Sequence, residues 1–166
     1  MYTQKGFSLI EIMIVLAIMG ALLGMITTNM DFLVPSSRIN ACAREIASTI
    51  MLAHNRATIN GEDAILSYHL DNNTYQLMLM KNGKVEHFKP WKLAEGVTFQ
   101  DILAEGERKK TGGIFEVYFA PNGIVRGHVV HLQNKDQKIL SIEVNPLSGD
   151  VQVMEGYQKL NFQLKN

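Results

Sequence analysis

Gly6-Phe7-Ser8-Leu9-Ile10-Glu11-Ile12-Met13-Ile14-Val15-Leu16-Ala17-Ile18-Met19-Gly20-Ala21-Leu22-Leu23-Gly24-Met25-Ile26 is the stretch from which the rest of the chain is read. No charged side chain occurs from Ile12 to Met30. As a helix that run rises roughly 28 Å, close to the ~30 Å hydrocarbon core of a bilayer. The pattern predicts a transmembrane helix over 7–30. Lys5 is the one charge ahead of it. The positive-inside tendency then keeps the short N-terminal end in the cytoplasm and sends everything after Asp31 across the membrane. A secretory signal peptide would have a shorter apolar core and a small-x-small cleavage site, which Thr27-Thr28-Asn29-Met30-Asp31 does not offer. A plain anchor fits the length and leaves Glu11 unexplained. A carboxylate in an apolar helix costs about 2.5–3.5 kcal/mol at the bilayer centre, less near the interface, and it wants a positive partner. Gly20 and Gly24, with Ala17 and Ala21 nearby, form a GxxxG pair of the kind that lets membrane helices pack closely.

Moving outward, Pro35 predicts a kink or an end to the first segment, and Ser36 or Ser37 can cap a second helix. Ile39, Ala43, Ile46, Ile50, Ala53 and Ala57 then recur at steps of four and three, the apolar face of an amphipathic helix. This helix occupies 31–61 and stops at Asn60-Gly61. Its apolar face predicts packing on a sheet, with Cys42 as a small packed side chain. Beyond it the period changes to two. Leu66, Tyr68 and Leu70, then Tyr75, Leu77 and Leu79, alternate with polar or adaptable residues around the turn Asp71-Asn72-Asn73. Asn82-Gly83 is a hairpin signal, leading into a strand from Val85 to Phe88. Further strands are expected at Val97-Thr98-Phe99, Phe115–Phe119, Val125–Leu132, Ile139–Val144 and Val151–Met154. A helix followed by a β-rich region over 62–166 is an α+β organisation.

The averages agree with a folded chain. Of 166 residues, 46% are hydrophobic and 19% charged, enough to bury a core and to exclude a disordered chain. Sixteen basic residues balance sixteen acidic ones, so no overall attraction to nucleic acid is expected. One cysteine cannot form an internal disulfide or a cysteine-based zinc site.

Gly6-Phe7-Ser8-Leu9-Ile10-Glu11 resembles the processing motif of the type IV pilin-like proteins. The resemblance implies a leader over 1–6, cut by a prepilin peptidase after Gly6, and N-methylation of the new amino terminus at Phe7. It also implies that the Glu11 carboxylate meets the N-terminal amine of a neighbouring subunit as the helix enters a filament. Pairing lowers the cost of both charges in lipid. In that setting Gly20 and Gly24 suit a bundle of packed stems. Ala43-Arg44-Glu45-Ile46 and Leu52-Ala53-His54-Asn55-Arg56-Ala57 are similar to the helix of the H-type minor pseudopilins of type II secretion. Type IV pilus minor pilins share that helix. Phe119-Ala120-Pro121-Asn122-Gly123 and Val144-Asn145-Pro146-Leu147-Ser148-Gly149 resemble two turns of the same branch. Asp150 departs from the arginine that follows the last glycine in many members.

What the resemblance implies is a pilin-like fold, a long N-terminal helix on a mostly antiparallel sheet domain. It implies an inner-membrane, single-pass subunit with a periplasmic domain. Its partners would be other pseudopilins or pilins and the peptidase, and its function that of a minor pseudopilin of the type II secretion pseudopilus. The alternatives are a minor pilin in type IV pilus assembly and a membrane-anchored periplasmic binding domain that does not polymerise. Glu11 and the Gly6-Phe7 junction separate the last from the others, because a mere anchor needs neither.

No catalytic constellation emerges, so an enzyme is not expected, and no cofactor either. His128 and His131 lie three apart, on opposite faces of a strand, which does not suit a shared metal. His69 and His87 read as strand-surface residues. Asp71-Asn72-Asn73 and Asn134-Lys135-Asp136 read as turns, without the ligand density of a calcium loop. There is no phosphate-binding glycine loop and no nucleophile elbow. The loop Glu105–Gly113 reads as a solvated connection. The tail from Glu155 to Asn166 carries only Lys159 and Lys165, a poor footprint for phosphates, so no nucleic acid partner is expected.

Overall fold

The computed structural model describes residues 8–26, 34–81 and 83–160. The chain divides into two compact units, 1–34 and 35–166.

In the first unit, helix α1 covers Leu9–Ile26. Ser8 opens it: its carbonyl accepts from the amides of Glu11 and Ile12 at 3.0 and 3.3 Å. Glu11 sits in the first turn, where a carboxylate complements the positive end of the helix dipole. Leu9, Ile10, Ile12, Met13, Ile14, Val15, Leu16, Ile18, Met19 and Leu22 are all half exposed or more. These positions lie all round the helix, so α1 has no single buried face. Eighteen residues rise about 27 Å. Among the described residues, no helix is long and apolar enough to cross a membrane.

Helix α2 covers Val34–Asn60, all but its first residue in the second unit. It starts before Pro35, so neither Ser36 nor Ser37 is its N-cap. In the first turn a proline loses no helical hydrogen bond, because that amide has no partner anyway. The helix stops where expected: Gly61 has φ +64°, the left-handed conformation that ends helices. Ile39, Ala43, Ile46, Ile50, Ala53 and Ala57 are completely buried, as their spacing requires.

The strands are β1 Asp63–His69, β2 Thr74–Lys81, β3 Lys84–His87, β4 Trp91–Lys92, β5 Val97–Ala104, β6 Ile114–Phe119, β7 His128–Asn134, β8 Ile139–Val144 and β9 Val151–Glu155. They form two sheets. The first has the order β3-β2-β1-β6, with β4 also on β2; the second has the order β5-β7-β8-β9. Every pairing between these strands is antiparallel. The buried face of α2 and residues of both sheets share one hydrophobic core, with Tyr68, Tyr75, Phe119, Ile102, Leu132 and Leu140 among its largest members.

Three strands differ from the sequence expectation. β5 runs on past Phe99 to Ala104, because a bulge between Phe99 and Asp101 shifts its register against β7. Val97 and Phe99 face the core before it and Ile102 and Ala104 after it, so the alternation changes phase and the pattern looks as if it ends. β7 starts at His128; Val125 makes only a single bridge, to Phe119. The two-residue β4 carries no periodic signal. The loop 105–113 is also less free than expected, since Lys110 and Ile102 exchange both backbone hydrogen bonds at 2.8 and 2.9 Å.

Candidate functional site

The stem carries one group of site residues. Gly6 and Phe7 lie outside the described residues. Glu11 is exposed on α1, available to a cation from outside the chain. Gly20 faces open space, since a Cβ built there meets nothing within 4 Å. Gly24 lies in the last turns of the same helix.

The second group is assembled from three separate stretches. His54 sits half-buried on α2. Its Nε2 lies 3.1 Å from the carbonyl oxygen of Gly123, in the turn after β6. Gly149, in the turn after β8, also comes against the ring. A Cβ there would fall 2.3 Å from His54 Cδ2, and the residue has φ +67°. Both facts demand glycine. The two turns also touch each other, with the Val125 amide donating to the Pro146 carbonyl at 3.3 Å. Asn145 accepts at Oδ1 from the Leu147 and Ser148 amides, and Asp150 accepts from the Ser148 hydroxyl at 2.7 Å. Asp150, at the position that departs from the family pattern, thus closes its own turn. A cleft of about 470 Å³ opens beside this junction, lined in part by Met51, His54, Asn55 and Asp150.

The oxygen-bearing residues of the two runs read as turns accept backbone hydrogen bonds, within the turn or from another segment. Asp71 accepts from the Gly113 amide at 3.0 Å. Asn73 accepts from the Phe99 amide at 2.9 Å, tying the β1–β2 turn to the second sheet. Asn134 accepts from the Asp136 and Lys138 amides. Among the described residues no cluster of three or more His, Cys, Asp or Glu side chains could hold a metal ion.

Burial separates the histidines. His69 and His87 lie at the sheet surface as expected, whereas His128 and His131 are completely buried. His128 is a satisfied neutral ring: Nδ1 donates to the Arg126 carbonyl at 2.8 Å, and Nε2 lies 3.4 Å from the Tyr68 hydroxyl. Burial pushes its pKa down to about 4. Glu62, whose burial the sequence did not signal, is paired with Lys81 at 2.8 Å and Arg56 at 3.8 Å. Those cations, Lys81 foremost, hold its carboxyl below the usual range.

Residues 1–27 match the family described as the prokaryotic N-terminal methylation motif. Two solved structures of the minor pseudopilin EpsH from the type II secretion system of Vibrio cholerae resemble the fold. One aligns with a TM-score of 0.56 at 14% identity, covering 71% of this chain and 97% of the solved EpsH chain. The other gives 0.58 at 14% identity, covering 72% and 95%. No curated protein matches the chain in sequence.

The chain has the α+β fold of those minor pseudopilin structures, and its N-terminus carries the methylation motif. The two turn sequences and the helix sequence that carried the resemblance meet at one place, around His54. Proline, asparagine and glycine explain each turn alone; the contact with His54 adds a separate reason for glycine at 149.

Proposed function

We propose that this chain is a minor pseudopilin, a structural subunit of a type II secretion pseudopilus that helps export folded proteins across the outer membrane. The observation that carries the reading is the combination of a methylation motif over residues 1–27 with a minor-pseudopilin fold behind it. In this reading a prepilin peptidase removes 1–6, and Phe7 becomes the methylated amino terminus. Residues 7–30 anchor the protein in the inner membrane, since no charged side chain occurs from Ile12 to Met30. The domain from 31 onward lies in the periplasm. The exposed, all-round apolar surface of α1 then lies against lipid or neighbouring stems, with Gly20 and Gly24 allowing close approach. Glu11 pairs with the amine of an adjacent Phe7, and the other partners are further pseudopilins. The role is structural rather than catalytic.

Mass spectrometry of the N-terminal peptide tests the processing step, with methylated Phe7 expected and a retained Met1 in assembled protein overturning it. Glu11→Val, Glu11→Gln and Glu11→Asp test the assembly step. All three should insert and be processed, and Val should insert more readily. Val and Gln should lose cross-linking to partner pseudopilins and lose secretion. Asp should weaken both by shortening the reach. Parent-like assembly of all three would remove the pairing account. Secretion lost with piliation intact supports the pseudopilus; the reverse supports a type IV minor pilin.

A further inference from the structure

The segment after β9 folds back over the face of the second sheet turned away from the core. Asp101 on β5, His131 on β7 and Ser141 on β8 are in register across that face, and all three are completely buried. Gly156, with φ +80°, turns the chain over them. The Ser141 hydroxyl donates to the Gly156 carbonyl at 2.6 Å and accepts from the Gln158 amide at 3.0 Å. The Tyr157 ring stacks on the His131 ring with centroids 3.9 Å apart and planes 10° apart. Its hydroxyl lies 3.3 Å from the Asp101 carboxylate.

The histidine itself is held at both ends. Nδ1 lies 2.7 Å from Asp101 Oδ1, and Nε2 lies 2.9 Å from the carbonyl oxygen of Gln158. Both neighbours are acceptors only. A neutral imidazole has one N–H and one lone pair, so either tautomer sets a lone pair against an oxygen at hydrogen-bond distance. Only the imidazolium donates at both ends. Two other charged or titratable groups lie against this pair. Lys109 Nζ lies 3.3 Å from Asp101 Oδ2 and so shares the carboxylate with the ring, whose bond is to Oδ1. Tyr157, the other titratable group against the ring, has its phenol pKa raised chiefly by burial and so stays neutral. From β8 the ring meets the uncharged Ser141.

We propose that His131 is a proton-operated latch: the imidazolium clamps the segment 156–160 onto the second sheet through Gln158, and loss of the proton frees that segment. The Nδ1 bond to Asp101 is the one a neutral ring keeps, because it reaches a carboxylate. The bond to Gln158 is the one it gives up, and Tyr157 leaves with it. Stability of the closed segment is therefore present while the ring is charged and lost as pH rises.

The test uses the full chain in detergent micelles. Side-chain ¹H–¹⁵N spectra of His131 are recorded from about pH 5 to about pH 8. Hydrogen exchange at the Gln158 amide and tryptic cleavage after Lys159 are followed in parallel. Both ring nitrogens should carry protons while the Gln158 amide is protected. Exchange and cleavage should then rise together by about an order of magnitude, beyond the base catalysis of a free peptide, as the ring loses its charge. Asp101→Asn keeps an acceptor oxygen and removes the charge, so opening should move to lower pH. His131→Gln carries both its donors on one nitrogen, which does not span the two acceptors the ring's separate nitrogens reach, and should leave the segment open at every pH. A singly protonated His131 ring while the Gln158 amide stays protected would overturn the latch in the parent protein, whatever the variants do. So would protection unchanged across the ring's titration.

Discussion

Gly149 shows how much one residue carries. Its left-handed backbone costs a side-chain residue about 1–2 kcal/mol, and its missing Cβ makes room for the His54 ring. Gly149→Ala should therefore lower stability by about 2–3 kcal/mol, adding the loss of the ring's bond to Gly123 to the backbone strain. In a His54→Ala background the same change should cost less by about 1 kcal/mol. Urea midpoints of the four proteins provide the measurement; equal costs in both backgrounds would separate the glycine from the histidine. His128 supplies a second case. Its pKa is about 4 in the folded protein against 6.5 for an ordinary histidine. Between those values the unfolded chain binds more protons, so stability is lost as pH falls from about 6.5 to about 4, by on the order of 3 kcal/mol. His128→Gln should flatten that limb of the urea-midpoint profile. Glu62 has the carboxylate form of the same dependence. Its depressed pKa stabilises the fold above the ordinary carboxylate range, and that contribution goes as pH falls through its folded pKa. The Glu62 limb therefore lies at lower pH and survives the histidine replacement.

Among the elements, α2 is the one the sequence specifies most fully. Its apolar positions fall at one period and are all buried. Ile46→Ala should cost about 2–5 kcal/mol in chemical denaturation, while Arg44→Ala on the exposed side should stay within about 0.5 kcal/mol. β6 is nearly as plain, with Phe115, Val117 and Phe119 inward and Glu116 and Tyr118 outward. The strands that resisted reading have physical reasons. β5 changes phase at its bulge. β7 is covered on both sides, so His128, Val129, Val130 and His131 are all buried and show no alternation. The site divides in the same way. Glu11 and its offset from Phe7 could be read because the stem motif is contiguous. The pieces around His54 were visible as motifs, but their meeting point depends on tertiary packing. Asp101, His131, Ser141 and Tyr157 left no signal, because four polar residues on four segments become a unit only when the chain end folds over the sheet.

At the scale of the whole molecule, the two units make different demands on their surroundings. The first presents apolar side chains in every direction, whereas the second buries its own in a single core. A fragment beginning at Pro35 should therefore fold by itself and remain in solution without detergent. Circular dichroism should report more strand than helix, and thermal unfolding should be one cooperative transition. A predominantly helical spectrum, or aggregation without detergent, would contradict the division.

The placement of Cys42 has a practical consequence for covalent labelling. It is the chain's one cysteine, buried in the core with Sγ accepting from the Ala94 amide at 3.3 Å. Burial pushes its thiol pKa up, so the nucleophilic thiolate is scarce at neutral pH. Maleimides and methanethiosulfonates should pass over the folded native protein. A cysteine introduced at Met51 or Ile59, both exposed on α2, would then be the sole addressable thiol. Neighbour distances in an assembly could be mapped by spin labels or cross-linkers with the native core left intact.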